Sequence, residues 1–86
     1  MEKENEYKIR KILLTKLFNL GCWGKGHVCE RNLAKGFPKH LRGYVLEIAK
    51  QLRKDGYLIL HPSGHDRQWY LNREKRIEIE QIISEK

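Results

Sequence analysis

A helix that has to stop at a glycine and is followed at once by two short strands constrains this chain more than any other feature. In residues 37–72, Pro38-Lys39-His40-Leu41-Arg42-Gly43 opens an amphipathic run that reaches Lys54 and is closed by Asp55-Gly56. Proline suits a first helical turn, where its missing N–H costs nothing. Glycine just past the last turn supplies the left-handed residue on which helices commonly end. Leu41, Val45, Ile48 and Leu52 recur at helical spacing, with Ala49 beside them. Lys39, Arg42, Gly43, Glu47, Lys50, Arg53 and Lys54 lie away from that stripe, and Leu46 falls among these polar positions, free to pack on a preceding helix or to meet a partner. Residues 57–61 and 68–72 then read as strands around the turn Pro62-Ser63-Gly64-His65-Asp66-Arg67.

Residues 4–20 read as a first helix. Ile9, Ile12, Leu13, Leu17 and Leu20 lie on one side, and Tyr7, Leu14 and Phe18 form a second stripe nearly opposite. A helix apolar on two sides has to be covered twice. Gly21 ends it, and residues 21–27, with three glycines, are a loop. Val28, Cys29 and Glu30 offer one rung of strand, and residues 31–35 a short helix ended by Gly36. Residues 73–86 read as a last helix, with Ile79, Ile82 and Ile83 on one side.

The expectation is one α+β domain over residues 1–86: a long first helix, a short second, a basic third, a two-stranded wing and a C-terminal helix. That is the element order of a winged helix-turn-helix, with its core in about residues 7–72. The apolar stripes on the first and last helices are expected to make a homodimer. A two-fold axis would then set two recognition helices about 34 Å apart, one DNA turn.

With 86 residues, one domain and a small core are expected. The formal net charge of +7 favours a polyanionic partner through counterion release. No run approaches the roughly 18 apolar residues of a membrane span. The polar start Met-Glu-Lys-Glu-Asn-Glu does not read as a signal peptide, so a cytoplasmic protein is expected. Two cysteines imply no disulfide framework.

These features point to double-stranded DNA. Lys39, His40, Arg42, Gly43 and Lys50 would face a groove and its flanking phosphates, and His65 and Arg67 would contact DNA from the wing tip. Arginine can bond guanine in two places, whereas lysine mostly positions a protein on phosphates. Gly43 lets a backbone come close, at about 1 kcal/mol of helix stability relative to alanine. Asp66 opposes phosphate binding and is expected to fix the turn.

Cys22, His27 and Cys29, even with His40, lack the closely spaced pairs of a zinc site, so no metal is expected. Ser63 and Ser84 sit in no nucleophile motif. Gly21, Gly24 and Gly26 lack the Lys-Ser/Thr of a P-loop. Neither an enzyme, a cofactor nor a small-molecule ligand is indicated.

Through Gly36-Phe37-Pro38-Lys39-His40-Leu41-Arg42-Gly43, Leu52-Arg53-Lys54-Asp55-Gly56-Tyr57-Leu58 and His61-Pro62-Ser63-Gly64-His65, the chain resembles a group of small archaeal winged-helix proteins of mostly unassigned function. The resemblance ends near Trp69-Tyr70-Leu71-Asn72, before the last helix. It implies a winged helix-turn-helix fold and a DNA-binding, transcription-regulating role. Two other readings stay open: a protein-interaction module that uses Leu46 and Tyr44, and a binder of structured RNA read by shape and phosphate.

Overall fold

The computed structural model describes residues 3–63 and 66–85. Its elements run α1 (Lys3–Asn19), β1 (Val28–Cys29), α2 (Lys39–Lys54), β2 (Leu58–Ser63), β3 (Asp66–Leu71) and α3 (Arg76–Ser84). Short 3-10 turns lie at Glu30–Asn32 and Arg73–Lys75. Among the described residues this is a small α+β domain of three α-helices and one antiparallel sheet in the order β1-β3-β2.

Both long helices stop as their glycines require. Gly21 and Gly56 have φ of 68° and 90°, the left-handed region that disfavours a Cβ. After α1, Gly21 N–H donates to the Phe18 carbonyl at 3.1 Å and Cys22 N–H to the Leu17 carbonyl at 3.0 Å. After α2, Gly56 N–H donates to Arg53 at 3.0 Å and Tyr57 N–H to Leu52 at 2.9 Å. Each pair is a Schellman motif, which satisfies carbonyls that a helix end would otherwise leave bare.

The chain after α2 is turned back at once into the hairpin, where Leu58 faces Leu71 and Ser63 faces Asp66. The expected two-stranded wing is in fact part of a three-stranded sheet. Val28 pairs with Trp69 and Cys29 with Gln68. Trp69 anchors that edge, its ring fully buried and its Nε1 donating to Glu30 Oε1 at 3.1 Å. A buried indole N–H needs such a partner.

Three further expectations are corrected. Residues 31–35 do not form an α-helix: Leu33 N–H reaches back to the Glu30 carbonyl, and only the 3-10 turn Glu30–Asn32 fits between β1 and Gly36. The last helix begins later than residue 73. Asn72 accepts from Glu74 N–H at 3.1 Å and donates to the Gly56 carbonyl at 2.8 Å, which holds Arg73–Lys75 in a 3-10 turn. Finally, α1 carries one broad buried arc, not two opposed stripes. Ile9, Leu13, Leu14 and Leu17 are fully buried, while Ile12 and Leu20, expected inside, are exposed. The cause is that α2, α3 and β3 all pack on α1.

Most of the residues expected to pair two copies serve this core, while Tyr7 stays exposed. Leu14 and Ile79 are buried, Ile82 and Ile83 pack against the core, and Phe18 meets Trp23 edge to face at 5.9 Å between centroids. The Tyr7 hydroxyl also donates to the Glu85 carboxylate and the Lys11 ammonium to the Glu85 carbonyl, tying the start of α1 to the end of α3. Among the described residues no helix is long and apolar enough to cross a membrane.

Candidate nucleic-acid interface

The buried stripe of α2, Leu41, Val45, Ile48, Ala49 and Leu52, turns one side of the helix into the core. At 100° per residue the opposite side is Lys39, Gly43, Glu47, Lys50 and Lys54, all exposed. His40 and Tyr44 flank this strip on one side, Arg42 and Arg53 on the other, and all four are exposed. The described ion pairs are Arg10–Asp55, Arg31–Asp66 and Arg76–Glu80, so none of Lys39, Lys50 and Lys54 is matched by a carboxylate of a described residue. Arg42 is partly committed: its Nε donates to the Phe37 carbonyl at 3.0 Å, which ties it to the helix entry and leaves its terminal nitrogens. Leu46 is half-buried and packs on the core, which accounts for its place among polar residues.

Gly43 stands out on this face. A Cβ built there would meet nothing within 4 Å, and its φ is not positive. The fold neither needs a glycine at this position nor gains from one, yet a glycine inside a helix costs about 1 kcal/mol relative to alanine.

At the hairpin, Arg67 is exposed and opposite Pro62 across the two strands. His65, the other expected tip contact, lies outside the described residues. Asp66 accepts from the Arg67 N–H at 3.0 Å and also meets Arg31 Nε at 3.5 Å. Arg31 is a basic residue the sequence reading missed. Its side chain is 79% exposed, held beside the hairpin by a partner 35 positions away that no local spacing could reveal.

A concavity of about 570 Å³, wide open, lies off this face, between the end of α1 and β1. It is lined by Lys16, Leu20, Val28, Cys29 and Lys35 among others. Lys16 spends its ammonium on the carbonyls of Asn32, Leu33 and Lys35 at 2.6, 3.2 and 3.0 Å. Burial, with the like charge of Lys35 adding to it, pulls its pKa below the usual lysine range. Cys22 and Cys29 are free thiols. Burial pushes the Cys22 thiol up, whereas half-buried Cys29 touches the Gln68 amide at 3.5 Å. Among the described residues no three His, Cys, Asp or Glu side chains converge as a metal site would require.

Compared with known proteins, the chain matches no family model, no curated protein and no solved structure.

Proposed function

We propose that the chain is a winged helix-turn-helix module, akin to the small archaeal proteins its sequence resembles, that binds double-stranded DNA as a cytoplasmic transcriptional regulator. The observation that carries this reading is the outer face of α2. It presents Lys39, Lys50 and Lys54, none matched by a carboxylate of a described residue, around a glycine for which the fold has no use. Unpaired cations bind phosphate with release of counterions, and an exposed helical glycine lets a backbone or base edge approach. In the element order proposed here α2 is the recognition helix, the 3-10 turn at Glu30–Asn32 stands for the second helix, and the hairpin is the wing. Arg42 reads bases with its terminal nitrogens, and Arg67 and His65 grip phosphate.

The reading is of a binding module and not an enzyme. The protein-interaction alternative keeps exposed Tyr44, while Leu46 is half-buried and packs against the core. Pairing of two copies through the terminal helices would rest on Tyr7, Ile12 and Ile77, the large apolar residues of α1 and α3 left exposed.

The test is fluorescence anisotropy of a labelled random duplex at about 50 mM salt, a condition that favours phosphate binding. Unlabelled duplex should compete better than a structured RNA of the same length. Stronger competition by the RNA would move the assignment to RNA.

A further inference from the structure

We propose that Trp23, Arg73 and Arg76 form a second ligand site, for the phosphate group of a small phosphorylated molecule. The site goes beyond the duplex reading and does not rest on it. These three residues line an open cleft of about 420 Å³ between the loop after α1 and the start of α3. Concave sites of this order suit small ligands.

The two guanidinium groups are anchored in the same way. Arg73 Nε donates to the Trp23 carbonyl at 3.2 Å. Arg76 Nε donates to Glu80 Oε1 at 3.0 Å, and its guanidinium carbon lies 5.5 Å from the centroid of the Trp23 ring. The ring is itself braced by the edge of Phe18. Among the described residues nothing accepts a hydrogen bond from the terminal nitrogens of either arginine. A guanidinium whose Nε is held still offers two donors in a plane, the geometry that matches a phosphate in bidentate fashion. Fixing the groups beforehand lowers the entropy lost when a ligand binds. Glu80 balances only one of the two charges, so the cleft stays positive.

The cleft lies away from the hairpin tip of the proposed DNA face. Arg73 follows the end of β3, and the hairpin tip lies at the other end of that strand. Five residue steps of strand are roughly 17 Å. Trp23 lies 50 positions before Arg73, so no local spacing in the sequence points to the site.

Titration of the full chain with inorganic phosphate, and separately with adenosine monophosphate, tests the proposal through tryptophan emission at constant ionic strength. Trp69 is fully buried and gives a steady background, whereas Trp23 is half-buried under Arg76. Both ligands should give a saturable change that chloride does not. Trp23→Phe should abolish the signal, and Arg73→Lys should weaken binding about tenfold, because an ammonium cannot replace the fork. Arg76→Gln, checked for folding by circular dichroism, is the second variant and should weaken binding likewise. No saturable change in the parent, or an equal response in either arginine variant, would overturn the site. So would a response that survives Trp23→Phe. Duplex affinity should be the same in Arg73→Lys as in the parent. A fall in duplex affinity without any phosphate response would assign these arginines to nucleic acid and overturn the small-ligand site.

Discussion

Lys16 does more for this fold than its place on a basic helix suggests. Its ammonium bonds three successive-turn carbonyls, those of Asn32, Leu33 and Lys35, and so pins the segment between β1 and α2 onto α1. Lys16→Met keeps most of the aliphatic stem but strips those carbonyls of their donor. It should cost about 2 kcal/mol, the usual worth of hydrogen bonds to a charged group, measured by urea unfolding. Loss below the error of that measurement would mean water replaces the ammonium at no cost. The sequence could not show this role, since the acceptors are backbone groups 16 to 19 positions away. The two thiols make a second residue-scale contrast. Cys22 is 3% exposed and its thiol is pushed up by burial, whereas Cys29 lines the open groove beside β1. The thiolate is the reactive form, so iodoacetamide should label Cys29 well before Cys22 in the folded chain. Equal rates read by mass spectrometry would contradict the packing described for Cys22.

Among the elements, α2 was the most legible in the sequence. Its bounds, Lys39–Lys54, coincide with the run from Pro38 to Asp55-Gly56, because proline and glycine act through the local backbone and need no tertiary help. The segment between β1 and α2 was the least legible. A five-residue apolar-polar run carries the same pattern as a helical turn and as a 3-10 turn, and only the pull of Lys16 and the burial of Leu33 and Phe37 decide between them. The third strand was faint for the same reason: two residues make a strand only when Trp69 and Gln68 are there to pair with. The strip of candidate contacts on α2 was legible from spacing alone, but the tethering of Arg42 and the place of Arg31 beside the hairpin were not. Gly43→Ala separates fold from function within α2. With open space at the Cβ and a helical backbone, alanine should raise stability by about 0.5–1 kcal/mol. The proposed close approach of DNA requires that the same change weaken duplex binding. A variant that is both more stable and equally tight would leave Gly43 without a role at the interface.

On the scale of the whole molecule, one small core carries an excess of positive charge that its own carboxylates do not consume. The described ion pairs use Arg10, Arg31 and Arg76, and leave the α2 face open. Net charge of +7 alone would draw any polyanion weakly. The central claim is more specific: phosphates meet one side of one helix. It is tested most directly by duplex affinity across a salt series for the parent chain and for a variant with Lys39, Lys50 and Lys54 all changed to alanine. All three side chains are exposed, so the variant should fold as the parent does. Each phosphate contact contributes about 0.9 to the slope of log affinity against log salt. The parent should bind at about 50 mM salt and weaken steeply, and the variant's slope should be smaller by about two to three. No detectable binding by the parent, or the same slope in both proteins, would contradict the account.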